Sequence, residues 1–271
     1  MQNKPLISVI MATFNEPKAF IEGSVSSILN QTHDNLELLI ADDSTSKETA
    51  DIIDACAAKD PRVKVIRKAE RMGFVNALNA ALDMAKGDFI ARMDGDDFSL
   101  PDRFEIQLRY ADEHPDVDVF GGDIVIVDEN DTAKSERHYP VTAAAIWRSF
   151  LWRSPFAHPA IMFRRSVIDQ GFRYNPEYKR AEDIDFLFRL YKNGFRFGNT
   201  GETLLRYRVV GDLQKKRNKD QWIYNHRART RNFIWHRPLF STISWVVSLG
   251  YICVPNFIVS YYYKRENTKK G

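Results

Sequence analysis

Three short apolar runs, each broken off by polar or acidic residues, constrain this chain more than any other feature. Leu6 to Ala12 (LISVIMA) ends at Thr13-Phe14-Asn15-Glu16-Pro17. Leu36 to Ala41 (LELLIA) ends at Asp42-Asp43-Ser44-Thr45-Ser46, and Phe89 to Met93 (FIARM) ends at Asp94-Gly95-Asp96-Asp97. Continuous hydrophobicity over so few residues is what a strand buried on both faces requires. Helix-compatible segments lie between them, to about Leu29, over Lys47–Ala58 and over Phe74–Ala85, with a further strand at Val63–Ile66. Strand and helix in alternation, with short connections, predict an α/β fold on a mostly parallel sheet. Ligands of such sheets bind beyond the carboxyl ends of the strands, where helix N-termini also point.

The third strand end carries the strongest chemical signal. Asp94, Asp96 and Asp97 repel one another, a cost that a cation or hydrogen-bond donors must offset. An all-oxygen set of this kind suits Mg²⁺ or Mn²⁺ carried by a phosphate-bearing substrate, and Gly95 lets the backbone approach that ligand closely. The competing reading is a solvated acidic turn before a helix that starts near Ser99 and Pro101. Thr13-Asn15 and Asp42-Asp43-Ser44, at two other strand ends, favour a nucleotide-and-metal cleft over a solvated rim. No Gly-x-Gly-x-x-Gly follows the first strand and no Walker A loop occurs, so side chains and a metal must hold any nucleotide.

The second half changes character. Val117 to Val127 reads as two strands broken at Gly121-Gly122, Ala143 to Trp152 as a helix, Ser154 to Arg164 as loop then strand, and Phe195–Phe197 and Leu204–Val209 as two strands. Arg180-Ala181-Glu182-Asp183 opens a helix over Ile184 to Tyr191. Glu182 and Asp183 are either helix-start acids stabilised by the helix dipole or a general base with a supporting neighbour. Asp185 is expected in a capping or surface role. With no low-complexity linker, residues 1–212 read as one α/β domain and 213–271 as a basic and apolar segment.

In that segment Pro238 to Tyr263 contains no charged residue, but several serines, Gly250 and Pro255-Asn256 dilute it. Basic residues flank it: Arg227, Arg229, Arg231 and Arg237 before, Lys264, Arg265, Lys269 and Lys270 after. A helical pair lying in or re-entering an anionic membrane face is the expectation, ahead of a single span and of a buried hairpin. The formal charge is only +3, so nothing points to nucleic acid. Two distant cysteines, Cys56 and Cys253, form no metal motif and no disulfide framework, and the apolar run after MQNKP is too short for a secretory leader.

The order and spacing of SVIMATFNE, IADDSTS, RMGFVNALNAAL, GDFIARMDGDDFSLPDRFEIQ, HPAIMFRRSVI and AEDIDFLFRL resemble the family 2 glycosyltransferases. These are inverting enzymes of the Rossmann-like GT-A fold, and the likeness is to bacterial enzymes of O-antigen, capsule and exopolysaccharide synthesis. The resemblance implies that Thr13, Asn15, Glu16 and Asp43 contact the base and ribose of a nucleotide-sugar, with Arg71 near the ribose or diphosphate. Asp94-Gly95-Asp96 would be the DxD motif, Asp94 toward ribose and metal and Asp96 on Mn²⁺ or Mg²⁺. Asp97 would be a helix-start carboxylate or a support behind the ligands. Asp183 would be the general base, with Glu182 and Arg180 shaping the acceptor side, and Arg164, Arg165 and Arg208 are candidates for diphosphate contacts.

Two departures qualify the match. The family often carries Tyr-Arg-x-His after its last strand, whereas Tyr207-Arg208-Val209 here precedes Val210; the histidine's role would pass to His158 or to Lys215-Lys216-Arg217. The Gln-x-x-Arg-Trp signature of processive synthases is absent, which implies one sugar added per encounter, from a UDP-linked donor to a lipid-linked saccharide at the cytoplasmic face of the plasma membrane. A sugar-1-phosphate nucleotidyltransferase and a catalytically silent membrane adaptor are the alternatives.

Overall fold

The computed structural model describes residues 4–211 and 219–253. Strands β1 (Ile7–Thr13), β2 (Leu36–Asp42), β3 (Val63–Ile66) and β4 (Phe89–Asp94) run parallel in the order β3-β2-β1-β4. Every residue of β1 and β2 is buried, as their unbroken hydrophobicity demands. Alternate side chains enter two cores. Val9, Leu38 and Ala91 pack with Ile21, Val25 and Ile28 of α1 (Lys18–Leu29) and Phe104 of α4 (Arg103–Glu113). Ile10, Leu39 and Ile90 pack with Leu78 and Leu82 of α3 (Phe74–Met84) and Phe186, Leu187 and Leu190 of α7 (Glu182–Lys192). Burying each such side chain is worth about 1.5–3 kcal/mol.

Beyond β4 the sheet becomes mixed. β8 (Met162–Arg164) lies antiparallel to β4, β6 (Val119–Val127) antiparallel to β8, and β9 (Phe197–Arg208) parallel to β6. A short β5 (Phe98–Ser99) is antiparallel to β9, and β7 (Ala133–Arg137) forms a hairpin with β6. This corrects several expectations. β6 is one strand, because the Gly121-Gly122 break is absorbed as a register shift against β9. A Cβ on Gly122 would lie 2.6 Å from the Glu202 carbonyl oxygen and from Leu204, so the missing side chain is what lets β9 close on β6. Supported along that length, β9 is also continuous rather than two strands. Phe98-Ser99 pairs with Arg206 and Leu205 of β9, which delays α4 to Arg103. Helix α5 (Ala143–Ser149) stops short of Trp152.

The C-terminal helices α8 (Lys219–Arg231) and α9 (Pro238–Cys253) pair with each other, and α8 packs on α7. Asp185, expected at the surface or as a cap, is buried instead. It accepts hydrogen bonds from Asn232 Nδ2 at 2.9 Å and from Arg189 Nε at 2.8 Å. Arg229 is buried too, donating to the Phe150 carbonyl and to Ser244 Oγ, while Arg227 and Arg231 pair with Glu177. Three arginines of the expected membrane-facing flank thus hold the protein to itself. Helix α9 buries Ser241, Ser244 and Ser248 and exposes Leu239, Ile243 and Val246. Among the described residues no helix is long and apolar enough to cross a membrane. The rest of the apolar run and the basic residues Lys264, Arg265, Lys269 and Lys270 lie outside the described residues. Removing the Asp185 carboxylate would leave Asn232 and Arg189 without it, so Asp185→Ala should cost about 1.5–3 kcal/mol. A urea midpoint equal to that of the parent would show that this contact does not hold α8.

Candidate active site

The β1 and β2 ends are tied to one another. Thr13 Oγ1 donates to Asp42 Oδ1 at 3.2 Å. Asn15 adopts the left-handed conformation at φ 58°. Its Oδ1 accepts from the Thr45 and Ser46 amides at 2.9 and 2.8 Å, while its Nδ2 donates to Thr45 Oγ1. The Asp43 carboxylate accepts from the Met72 and Gly73 amides at 2.6 and 2.9 Å. That fixes the loop into α3, where Gly73 supplies a φ of 73°. Arg71 lies 3.5 Å from Asp43 and stacks over Phe14 at 4.2 Å. Glu16 accepts from the Phe14 amide. Burial, with the charges of Asp96 and Asp94 added, pushes its carboxyl up to about 7. Thr13, Asn15, Glu16, Asp43 and Arg71 therefore share one rim beside the acidic turn, and Asn15 and Asp43 already use their carbonyl and carboxylate oxygens to shape it.

At the end of β4, Asp94, Asp96 and Asp97 can each offer a carboxylate oxygen within 4.8 Å of the others. The buried Arg92 grips Asp94 with both terminal nitrogens. Asp97 is 1% exposed. It cannot be a helix-start residue, since α4 begins at Arg103. One of its oxygens accepts from the Arg208 amide at 2.8 Å, and the other is buried with no partner among the described residues. Burial and the neighbouring Asp94 and Asp96 push the Asp97 carboxyl well up. A divalent cation between the three would relieve that repulsion and satisfy the orphaned oxygen, so these residues fit a metal.

Arg208 Nε donates to the Asp96 carbonyl at 2.9 Å and its Nη1 to the Asp128 and Glu129 carbonyls. Arg164 and Arg165 likewise donate to main-chain carbonyls, of Val117 and Ala111 and of Ala85 and Gly87. All three candidates for diphosphate contacts hold backbone in this structure, and Arg208 locks the acidic turn to β9. Gly95 packs under Thr13 and Ile21, each 3.1 Å from where a Cβ would stand, so the close approach there is to the protein's own side chains.

Across from the acidic turn, Ala181 sits in the left-handed region at φ 57° and turns the chain into α7 at Glu182 and Asp183. A cavity of about 430 Å³ joins the two sides, lined by Arg92, Asp94, His158, Glu182, Asp183 and Tyr207. Burial, and after it the Asp183 charge, pushes Glu182 up to about 7. Burial also raises Asp183, opposed by Arg92. His158 meets the Tyr174 hydroxyl at 2.9 Å through Nε2 and stands 3.9 Å from Glu182 through Nδ1. Burial and Arg92 keep it neutral. Of the two stand-ins for the missing histidine, His158 is in the cavity, while Lys215-Lys216-Arg217 lies outside the described residues. A second, smaller cavity adjoins the first, and Asp183 lines both whereas Glu182 lines only the larger.

Arg92 escaped the sequence reading. Its signal is a charged residue within the otherwise apolar run FIARM, where burial must be matched by a partner.

Residues 8–172 match the model of Glycosyl transferase family 2. The chain belongs to that family. It is 35% identical over 215 residues to the O-antigen biosynthesis glycosyltransferase WbnJ of Escherichia coli, covering 78% of this chain and 82% of the other. An uncharacterized glycosyltransferase of Methanocaldococcus jannaschii is 31% identical over 95% of this chain and 92% of its own length. The mannosyltransferase PcManGT of Pyrobaculum calidifontis, solved with GDP-Man and Mn²⁺, superposes with a TM-score of 0.63 at 18% identity, over 94% of this chain and 72% of that one. The fold is GT-A and the chain is a glycosyltransferase related to polysaccharide-synthesis enzymes. Membership in this family sets aside the nucleotidyltransferase alternative.

Proposed function

We propose that the protein is a metal-dependent, inverting glycosyltransferase that moves one sugar from a nucleotide-sugar to a hydroxyl of a lipid-linked saccharide. The observation that carries this reading is the single cavity with Asp94 on one wall and Asp183 on the other. Asp94 and Asp96, with Asp97 in reach, would hold Mn²⁺ or Mg²⁺, which neutralises the charge developing on the leaving nucleoside diphosphate. Thr13, Asn15, Glu16, Asp43 and Arg71 form the rim that would receive base and ribose. Asp183 accepts the proton of the acceptor hydroxyl. A base must touch the acceptor while facing the donor, and Asp183 is the carboxylate that lines both cavities. Glu182 and His158 line the same cavity beside it, and Arg92 orients Asp94. Attack from the face opposite the diphosphate inverts the anomeric carbon.

The outward apolar face of α9 supports peripheral association with the cytoplasmic face of the membrane through residues 213–271. Its serine-inward, aliphatic-outward arrangement is the reverse of a helix seeking the protein core.

A screen of UDP-, GDP- and dTDP-sugars by thermal melting tests the donor half. The matching donor at 100 times its Kd should stabilise the protein by about 2.7 kcal/mol, with Mn²⁺ or Mg²⁺ present and not with EDTA. No stabilisation by any of them would overturn the reading.

A further inference from the structure

Resting on the glycosyltransferase reading, we propose that the smaller cavity beyond Asp183 is an acceptor subsite for a sugar that carries a negative charge, with α8 as one of its walls. The cavity, about 190 Å³, is lined by Arg137, Tyr139, Trp152, Arg153, Asp183 and Trp222, among others. It lies below the range of roughly 300–1,000 Å³ that holds a drug-sized ligand, which suits one sugar unit and its substituent. Neither Asp94 nor Arg92 lines it, but Arg137, Tyr139, Phe156, Ala181, Asp183 and Gln221 line both cavities, so it opens off the metal-bearing cavity as a side pocket.

Its walls come from separate parts of the chain: the β7 end with Arg137 to Tyr139, the segment after α5 with Trp152 and Arg153, and α8 with Gln221, Trp222 and Asn225. Those walls are built rather than incidental. Trp222 is buried and stacks on Tyr251 of α9 at 4.6 Å. Asn232 and Arg229 anchor α8 to Asp185 and to the Phe150 carbonyl. His138, also on the lining, is held at 2.6 Å by the buried Asp123, which accepts from the Tyr139 amide as well.

The chemistry of the lining is selective. The Trp152 indole and the Tyr139 phenol on the lining are flat apolar groups with polar edges, which suit the C–H face of a pyranose, and Trp222, stacked on Tyr251, closes the wall behind. Arg137 and Arg153 bring positive charge, while that of His138 is matched by Asp123 at 2.6 Å and Glu136 at 3.6 Å, and Asp183 is the one acid on the lining among the described residues. Guanidinium groups match phosphate or carboxylate oxygens in bidentate fashion. The shared chemistry is therefore an anion on or next to the accepting sugar, whether the phosphate of a glycosyl phosphate or the carboxylate of a uronic acid. The family match ends at residue 172, so α8 lies outside the segment that the family model covers.

The test is a tryptophan-fluorescence titration of the full chain with Mn²⁺ and with UDP, GDP or dTDP, whichever the donor screen selects, filling the larger cavity. The probes are methyl glucoside, glucose 1-phosphate and glucuronic acid. At least one charged probe should bind tenfold or more tighter than the neutral one, and the tighter of the two names the source of the charge. Arg153→Gln and, separately, Arg137→Gln should each reduce that preference severalfold, with the melting temperature of the ligand-free protein as the folding control. Equal affinity for all three probes, no binding of any, or a preference untouched by both variants would overturn the proposal. Donor-induced stabilisation that survives such a result would leave the glycosyltransferase reading standing, and its absence in the parent would sink that reading separately.

Discussion

Asp183→Asn should lower the rate of sugar transfer by about 10²–10⁴-fold, the usual contribution of a positioned general base. The amide keeps the size and the buried position of the carboxylate but cannot take a proton. Burial already disfavours the charge on Asp183, so the variant should melt no lower than the parent and should still be stabilised by donor and metal. The pH profile carries the sign. The base works only when ionised, and burial holds the Glu182–Asp183 pair above the usual carboxylate range. Activity should therefore fall on the acid side at a higher pH than an ordinary aspartate would set, because burial raises Asp183. Glu182→Gln removes the like charge next to Asp183 and should move that acid limb to lower pH. Full transfer by folded Asp183→Asn would eliminate this assignment and point to another base, whereas a silent adaptor would show no transfer in the parent either.

The second large effect concerns the metal. Asp96→Asn, or EDTA on the parent, is expected to reduce transfer by about 10³-fold, equivalent to about 4 kcal/mol of lost charge stabilisation on the leaving group. The variant should lose the Mn²⁺-dependent rise in melting temperature. In the metal-free protein the substitution relieves repulsion, because Asp94 and Asp96 both push the buried Asp97 up. The ligand-free melting temperature should thus rise or stay level while activity collapses. A variant that keeps both transfer and its response to Mn²⁺ would remove Asp96 from the metal.

Much of this fold is written locally. Unbroken apolar runs can only be strands covered on both faces, so β1, β2 and β4, with helices between them and a ligand edge at their carboxyl ends, follow from residues close in sequence. The family's motif spacing added the pairing of Asp94 and Asp96 with Asp183. Side chains whose character is set by distant partners were not legible in this way. Asp185 reads as a surface acid until Asn232 arrives from α8 to meet it, and Arg208 reads as a phosphate ligand until the carbonyls of Asp96, Asp128 and Glu129 enclose it. The Gly121-Gly122 break reads as a strand end until β9 pairs across it.

What the sequence determined by itself is the alternation of strand and helix and the acidic turn at the end of β4, since burial and charge repulsion act between near neighbours. The tertiary structure decided how those acids are used. It set Asp97 among the possible ligands rather than at a helix start, placed Arg92 beneath Asp94, and put Asp183 on the wall between two cavities, the smaller of them closed by a helix from the far end of the chain. Burial and like charge alter a carboxylate's chemistry only once the fold has chosen its neighbours.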